Sequence, residues 1–448
     1  MPNLLASKHG RFTAFFFLYI TEGIPLGFTA TAVATQMRRQ GLGPDAIGAF
    51  VGSLYLPWAF KWALGPIVDT LSSDRFGRRR TWIVGAQILM AGTLLAALPI
   101  DFATQLQLFT AIIIVHNCFG AAQDVAIDAL AVNTLKADER GLANGLMFGG
   151  AYLGQAIGGA GVLFLTPFVG FSNTYYFVAA AIGLVTLFIS LPLREAKSPP
   201  REPSGAGAFV TIGREIWVFL RESVRAFFGT RAALVGVIFA FLPAGAYALG
   251  LNLQSNLAVE LGLNDTQVGA LSLWTAVISA VGCVAGGWLS DRYGRRRMLA
   301  LFIVLMAVPT AIFAFQMQQA GWIMPVSPTD PARPVPPTWL VTQFWIMVLV
   351  YAAFQGLSYG IRSALFMDVT SPRVAATQFT AYMAMLNFAI AYSANWQGVA
   401  ATRWGYPTTL GIDAGVGLVC LACLPFMAQR RKPAVQPLPG AAVEPAAG

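Results

Sequence analysis

Five side chains able to hold protons or polar solutes fall within one apolar stretch, H116-N-C-F-G-A-A-Q-D-V-A-I-D-A-L130: His116, Asn117, Gln123, Asp124 and Asp128. Residues 116, 120, 124 and 128 step by four. That spacing puts His116, Gly120, Asp124 and Asp128 along one side of a helix, with Asn117 beside them. An Asp at the centre of a membrane helix costs about 2.5–3.5 kcal/mol, so two of them are expected to face a cavity or another helix rather than lipid. Carboxylates placed there can carry protons, because partial desolvation favours the neutral form. The competing reading is structural: each Asp pairs with a cation or caps a neighbouring helix.

Other polar groups interrupt other apolar runs. Glu22 stands in T21-E-G-I-P-L26, where Gly and Pro loosen a helix and expose backbone to a cavity. Lys61 is expected either to pair with Glu22 or to snorkel to headgroups. Gln355, Tyr359 and Arg362 recur at i, i+4 and i+7, and Arg362 can grip an anion through two parallel bonds, snorkel to the inner headgroups or pair with Asp368. Asn387 is a further polar candidate. Asp124, Asp128 and Glu22 are therefore the proton-coupling candidates. His116, Asn117, Gln123, Lys61, Gln355, Tyr359, Arg362 and Asn387 are the solute-cavity candidates.

The elements that must position these groups are membrane helices. Of 448 residues, 56% are hydrophobic and 11% charged, which excludes an ordinary soluble domain at roughly 25% charged. Twelve apolar runs are long enough to cross about 30 Å of hydrocarbon: 12–36, 45–68, 81–100, 105–133, 142–166, 173–193, 232–257, 266–288, 298–316, 339–366, 374–400 and 406–427. The first follows only Lys8 and Arg11 and has no small-residue cleavage site, so it is read as a retained span. If the N-terminus is cytoplasmic, the cytoplasmic segments hold 23 of the 29 basic residues, while Arg38, Arg39, Arg333 and Arg403 lie outside. Both termini are thus expected in the cytoplasm. The net charge of +9 then reflects topology, and no nucleic-acid partner is expected. Cys118, Cys283, Cys420 and Cys423 all fall inside spans and read as small buried hydrophobes; no metal or cofactor site is expected.

The chain also repeats itself. D74-R-F-G-R-R-R80 follows span 2 and D291-R-Y-G-R-R-R297 follows span 8, with the glycines 217 residues apart. Arg140 and Arg373 give a second, weaker correspondence at 233 residues, and the Pro-rich stretch between Gln316 and Trp339 accommodates the extra length. The expected organisation is an N-terminal six-helix half (1–193), a cytoplasmic linker with an amphipathic helix (194–231), a C-terminal six-helix half (232–428) and a disordered cytoplasmic tail (429–448). In the linker helix Ile216, Phe219, Leu220, Val224 and Phe227 oppose Arg214, Arg221 and Arg225, a pattern suited to the headgroup layer.

G287-W-L-S-D-R-Y-G-R-R-R297 resembles the loop signature of the major facilitator superfamily, and the first copy is a looser version running from G65-P-I-V-D69 to Arg80. In such a loop an Asp can pair with Arg across one mouth of the molecule while Gly allows the tight turn. The gate residues are Asp69, Asp74, Arg75, Gly77 and Arg78 in the first copy, where either Asp69 or Asp74 fills the acidic role. In the second they are Gly287, Asp291, Arg292, Gly294 and Arg295. E22-G-I-P-L26, Y55-L-P-W-A-F-K-W-A-L-G-P-I-V-D69, A121-A-Q-D-V-A-I-D-A129 and A137-D-E-R-G141 together resemble the branch of AmpG-type muropeptide permeases and acetyl-CoA transporters. The AmpG-type pattern carries a basic and then an acidic residue after the second Asp, whereas L130-A-V-N133 here is uncharged.

The resemblance implies an all-α bundle of twelve transmembrane helices in two six-helix halves. It further implies a monomeric proton-coupled importer of anhydro-amino-sugar peptides in the bacterial inner membrane. A siderophore or acyl-CoA permease of the same branch is the alternative. No G-x-x-x-x-G-K-[ST] phosphate loop is present, so gradient energy rather than ATP is expected to drive it. A membrane-embedded lipid-linked transferase is disfavoured: His9 and His116 are the only histidines, which leaves little material for metal-assisted chemistry.

Overall fold

In hydrocarbon a backbone must bond to itself, so apolar runs near twenty residues fold as helices and the polar punctuation between them turns the chain. The computed structural model describes residues 3–71, 76–136, 139–195, 207–370 and 375–427, and every regular element among them is helical. The first six spans are α1 (Lys8–Arg39), α2 in three pieces (Pro44–Leu54, Leu56–Ala59 and Lys61–Thr70), α3 (Arg78–Ala97), α4 (Leu106–Thr134), α5 (residues 140–169) and α6 (Phe171–Ser190). A crosswise helix, α7 (Ala208–Phe228), follows. The second six are α8 in two pieces (Arg231–Phe241 and Asn252–Glu260), α9 (Asp265–Tyr293), α10 (Arg295–Gln319), α11 (Thr338–Val369), α12 (Ala375–Trp404) and α13 (Tyr406–Met427).

The twelve-helix fold is the expected one, and most helices overrun the apolar windows by a few residues because the helix continues into the headgroup zone. Nine of the described spans are single helices long and apolar enough to cross on their own. The exceptions are α2 and α8, each in pieces, and α12. The unbroken run expected over 232–257 is corrected: α8 unwinds after Phe241, where Pro243 cannot continue the ladder and Gly245 takes φ 101°. The break in α2 lies around Pro57, and Asn117 of α4 donates to the Leu54 carbonyl beside it at 3.2 Å.

The duplicated loops fold alike. Gly77 before α3 and Gly294 before α10 share φ 93° and ψ 126°, a left-handed conformation that disfavours any side chain. Asp74 and Arg75 of the first copy lie outside the described residues, as do the tail expected to be disordered and the middle of the linker. Within the first half, α5 approaches α1 closely: a Cβ on Gly154 or Gly158 would meet the backbone carbonyls of Ile20 and Ile24. Such small-residue seams are how helices associate in lipid, where hydrophobicity supplies no net drive.

Both described chain ends, Asn3 and Met427, belong to one face, here termed the terminal face. At the opposite, distal end a single apolar core runs through both halves, joining Phe28, Phe50 and Phe109 to Phe313, Phe344 and Tyr406. Toward the terminal face the core divides, one cluster around Phe15, Ile83 and Ile127 and a separate one around Phe239, Ile303 and Phe366. The halves are therefore fused distally and parted at the terminal face. There α7 turns 112° from the first piece of α8, and its Phe219 stacks on Trp62 of α2 at 5.4 Å. Phe227 is buried, while Phe209, Trp217 and Phe228 are exposed.

Candidate functional site

The polar groups of the first half converge where α1, α2 and α4 meet. Lys61 opens the third piece of α2, directly after the break, so its ammonium is delivered toward α4 rather than along a continuous helix. Its Nζ lies 2.9 Å from Asp124 Oδ2 and 3.8 Å from Asp128 Oδ2. Tyr19 of α1 donates to Asp128 Oδ1 at 2.6 Å. One turn further along α1, Glu22 sits within electrostatic reach of Lys61, Asp124 and Asp128. Its Oε2 is enclosed and has no hydrogen-bond partner among the described residues. The expected Lys61–Glu22 pair is thus replaced by a lysine shared between two aspartates. Asp124 is buried, whereas the Asp128 side chain is 46% exposed.

The rest of the α4 stretch turns elsewhere. His116 is fully buried against α3, with Nδ1 2.9 Å from the Met90 carbonyl and 3.2 Å from Thr93 Oγ1. The reason is helical phase: steps of four overshoot a turn by about 40° each, so His116 has rotated away from Asp124 by roughly 80°. Gln123 and Gln87 both donate to Thr21 Oγ1, at 3.0 and 3.2 Å, tying α3 and α4 to α1. Asn117 serves the α2 break already described.

In the second half Arg362 of α11 is buried, donates from Nη1 to Tyr247 OH at 2.7 Å, and lies 5.4 Å from the Tyr359 ring centroid. The expected pair with Asp368 is not formed, because Asp368 accepts from Arg295 at 2.6 Å. Tyr359 is exposed, and Gln355 and Asn387 are half-buried, Asn387 donating back to the Met383 carbonyl at 3.1 Å. Tyr247 occupies the unwound part of α8. That segment is held by Asp413 of α13, which accepts from Ala248 N at 2.9 Å and from Gln397 at 2.7 Å. Sequence reasoning missed Asp413 although an acid inside a span was a signal available to it; Pro243 and Gly245 likewise marked the break.

At the terminal face the second loop copy is internally paired, Arg295 contacting Asp291 at 3.4 Å as well as Asp368. Arg292 lies over Trp288 and Tyr293, and Gly287 and Gly294 have open space around them. In the first copy Asp69 pairs with Arg79, and Glu195 accepts from the backbone of Arg79 and Arg80 at the start of α3. Arg78 flanks this pair at the same helix start. Three ion pairs were not read from the sequence, one of them at this face. Arg11 grips Glu139 with Nε at 2.9 Å and Nη2 at 2.5 Å, and holds that carboxyl below the usual range. At the distal end Arg38 meets Glu260 at 2.6 Å, with Trp322 and Tyr406 also donating to that carboxylate at 2.8 and 2.7 Å, and Arg39 meets Asp265 at 2.5 Å. Those two ion pairs join the halves. Arg38 and Arg39 look in the sequence like ordinary loop charges, and only the tertiary fold brings their partners across.

The major facilitator superfamily profile matches residues 12–254 and 235–447. The chain is similar to the anhydromuropeptide permease of Escherichia coli K12, 26% identical over 299 residues, covering 66% of this chain and 58% of that protein's length. It is also similar to putative transporter AmpG 4 of Rickettsia conorii, 25% identical over 69% of this chain and 74% of that one. Among solved structures, a D-xylose–proton symporter superposes with a TM-score of 0.67 at 14% identity over 92% of this chain and 96% of its own. The nucleoside transporter NupG gives 0.65 at 14% identity over 96% and 100%.

Proposed function

The chain belongs to the major facilitator superfamily, and from that premise we propose that it is a proton-coupled importer of anhydro-amino-sugar peptides working by alternating access. It is a multi-pass membrane transporter of small solutes, not an enzyme. The observation that carries the coupling is one of charge: Glu22, Asp124 and Asp128 surround a single ammonium, Lys61. Three ionised carboxylates against one cation would leave two uncompensated charges inside the membrane, so bound protons relieve the site. Asp124 is held closest by Lys61. Glu22, with an unpartnered oxygen, and Asp128, open at its side, are the groups left to load and release protons.

The substrate class is supported by the similarity to AmpG-type permeases and by Tyr55 and Tyr152 of the first half, each within electrostatic reach of Tyr359 in the second, three aromatic rings that a sugar ring can stack on. The basic-residue asymmetry supports a cytoplasmic terminal face, and the bacterial AmpG-type relatives support the inner membrane as its site. The parted halves then form an inward-facing mouth, and Arg38–Glu260 with Arg39–Asp265 form the closed outer gate. The protein acts as a monomer, with residues 1–193 and 232–428 as its halves and 194–231 as the linker. Radiolabelled anhydro-muropeptide should accumulate in right-side-out vesicles when the outside is made acidic, and a protonophore should abolish the accumulation. Equal uptake with and without the gradient would remove proton coupling from the proposal; no uptake at all would remove the substrate.

A further inference from the structure

The polar site of the first half carries surplus negative charge, whereas the second half buries a cation, Arg362. Among the described residues Arg362 forms no ion pair. Two acids of the second half have partners of their own: Asp368 pairs with Arg295 at 2.6 Å, and Asp413 accepts from Ala248 N and Gln397 at 2.9 and 2.7 Å. Arg362 is only 8% exposed, and of its guanidinium nitrogens Nη1 alone donates within the described protein, to Tyr247 OH. Nε is enclosed and unpartnered. Tyr351 OH, also buried and without a hydrogen-bond partner among the described residues, lies within electrostatic reach of Arg362.

We propose that Arg362 is a solute-binding residue that takes a carboxylate through its Nε–Nη2 edge, with Tyr247 positioning the guanidinium and Tyr359 backing it. This rests on the transporter reading above and specifies which group of the solute the second half recognises. A buried guanidinium with one edge satisfied and the other empty is costly unless an anion completes it. A planar carboxylate matches that edge with two parallel bonds. The charge also discriminates: one guanidinium neutralises one carboxylate, while a phosphate monoester dianion would bring a second negative charge into a membrane interior already rich in acids. Tyr247 sits in the unwound part of α8, so its hydroxyl is fixed by the break that Asp413 stabilises. It accepts from Ala244 N at 3.2 Å as well as from Arg362, which locks the side chain in place.

The test uses the purified full chain in detergent and three probes: anhydro-N-acetylmuramic acid, its methyl ester and inorganic phosphate. Binding is read as the ligand-dependent shift in Tm for wild type, Arg362→Gln and Arg362→Lys. Wild type should bind the acid at least about tenfold more tightly than the ester, with phosphate weaker still. Arg362→Gln should bind acid and ester equally, and Arg362→Lys should fall between. Without ligand, Arg362→Gln should melt at the wild-type temperature or above, because an uncompensated buried cation has been removed. Equal binding of acid and ester by wild type overturns the proposal, as does phosphate binding more tightly than the acid. A lower Tm for ligand-free Arg362→Gln also overturns it, since Arg362 is then a structural post. If no probe binds and ligand-free Arg362→Gln is stabilised, the anion subsite stands and the amino-sugar reading fails.

Discussion

Lys61 divides its charge between carboxylates at unequal distances, 2.9 Å to Asp124 and 3.8 Å to Asp128, and the two should respond differently to the same substitution. Asp124→Asn removes the near partner of a lysine whose side chain is only 18% exposed. Lys61 keeps Asp128 and Glu22 as counter-charges, so the variant should lose less than the about 3–5 kcal/mol of a fully broken buried pair and show a modestly lower Tm in detergent. Asp128→Asn and Glu22→Gln should fold normally and exchange labelled solute across the membrane, yet fail to concentrate it uphill. Wild-type accumulation by both would transfer the coupling role to Asp124. Glu139 offers a stability test outside the membrane. Its carboxyl is held below the ordinary value of 4.5 by Arg11, so the stabilisation is complete above that value and disappears as pH falls through the lower, folded one. Melting curves from pH 7 downward should therefore converge for wild type and Glu139→Gln at the acid end, wild type being the more stable at neutrality.

At the scale of the element, helix seams and helix breaks do different work. Gly158 lies against the α1 backbone, so Gly158→Ala should separate α1 from α5 and lower stability by about 1–3 kcal/mol, the usual cost of overpacking. Gly85 on α3 has nothing near its missing Cβ, and Gly85→Ala should leave expression and Tm unchanged. The breaks in α2 and α8 instead aim side chains, Lys61 and Tyr247, that a continuous helix would direct elsewhere. The terminal loops are poised for exchange: Asp291 is 71% exposed and holds Arg295 at only 3.4 Å, an interaction worth about 0–1 kcal/mol. Asp291→Asn should thus insert and fold normally, and it should shift cysteine labelling of the central cavity toward access from the terminal face. An unchanged labelling ratio with full transport would leave the loop a purely topogenic cluster.

For the whole molecule, the apolar core is continuous at the distal end and divided at the terminal face, so rocking about the polar layer is the motion the packing permits. Opening the distal end must break Arg38–Glu260 and Arg39–Asp265, the first of which is fully buried. Orientation can be read directly in a cysteine-free background. A cysteine at Thr329, in the loop between α10 and α11, should react with an impermeant maleimide added outside intact cells, and one at Ser204 only after the inner face is exposed. Equal reaction of both from outside would reverse or abolish the proposed topology.

The existence and order of the twelve spans, the duplicated loops and the amphipathic α7 were legible in the sequence, because lipid imposes a length and an apolar content that each segment must meet locally. The same local logic found Asp124, Asp128, Glu22, Lys61 and Arg362, since any ionisable side chain within a span stands out. What it left undecided was who meets whom. Lys61 joins Asp124 and Asp128 rather than Glu22 because a break in α2 turns it toward α4, and His116 faces α3 because helical phase accumulates over two turns. Arg38 finds Glu260 222 residues away, a pairing with no local signature. Such contacts depend on the angle and approach of helices from different parts of the chain, and those follow from the packing of the entire bundle rather than from any one segment.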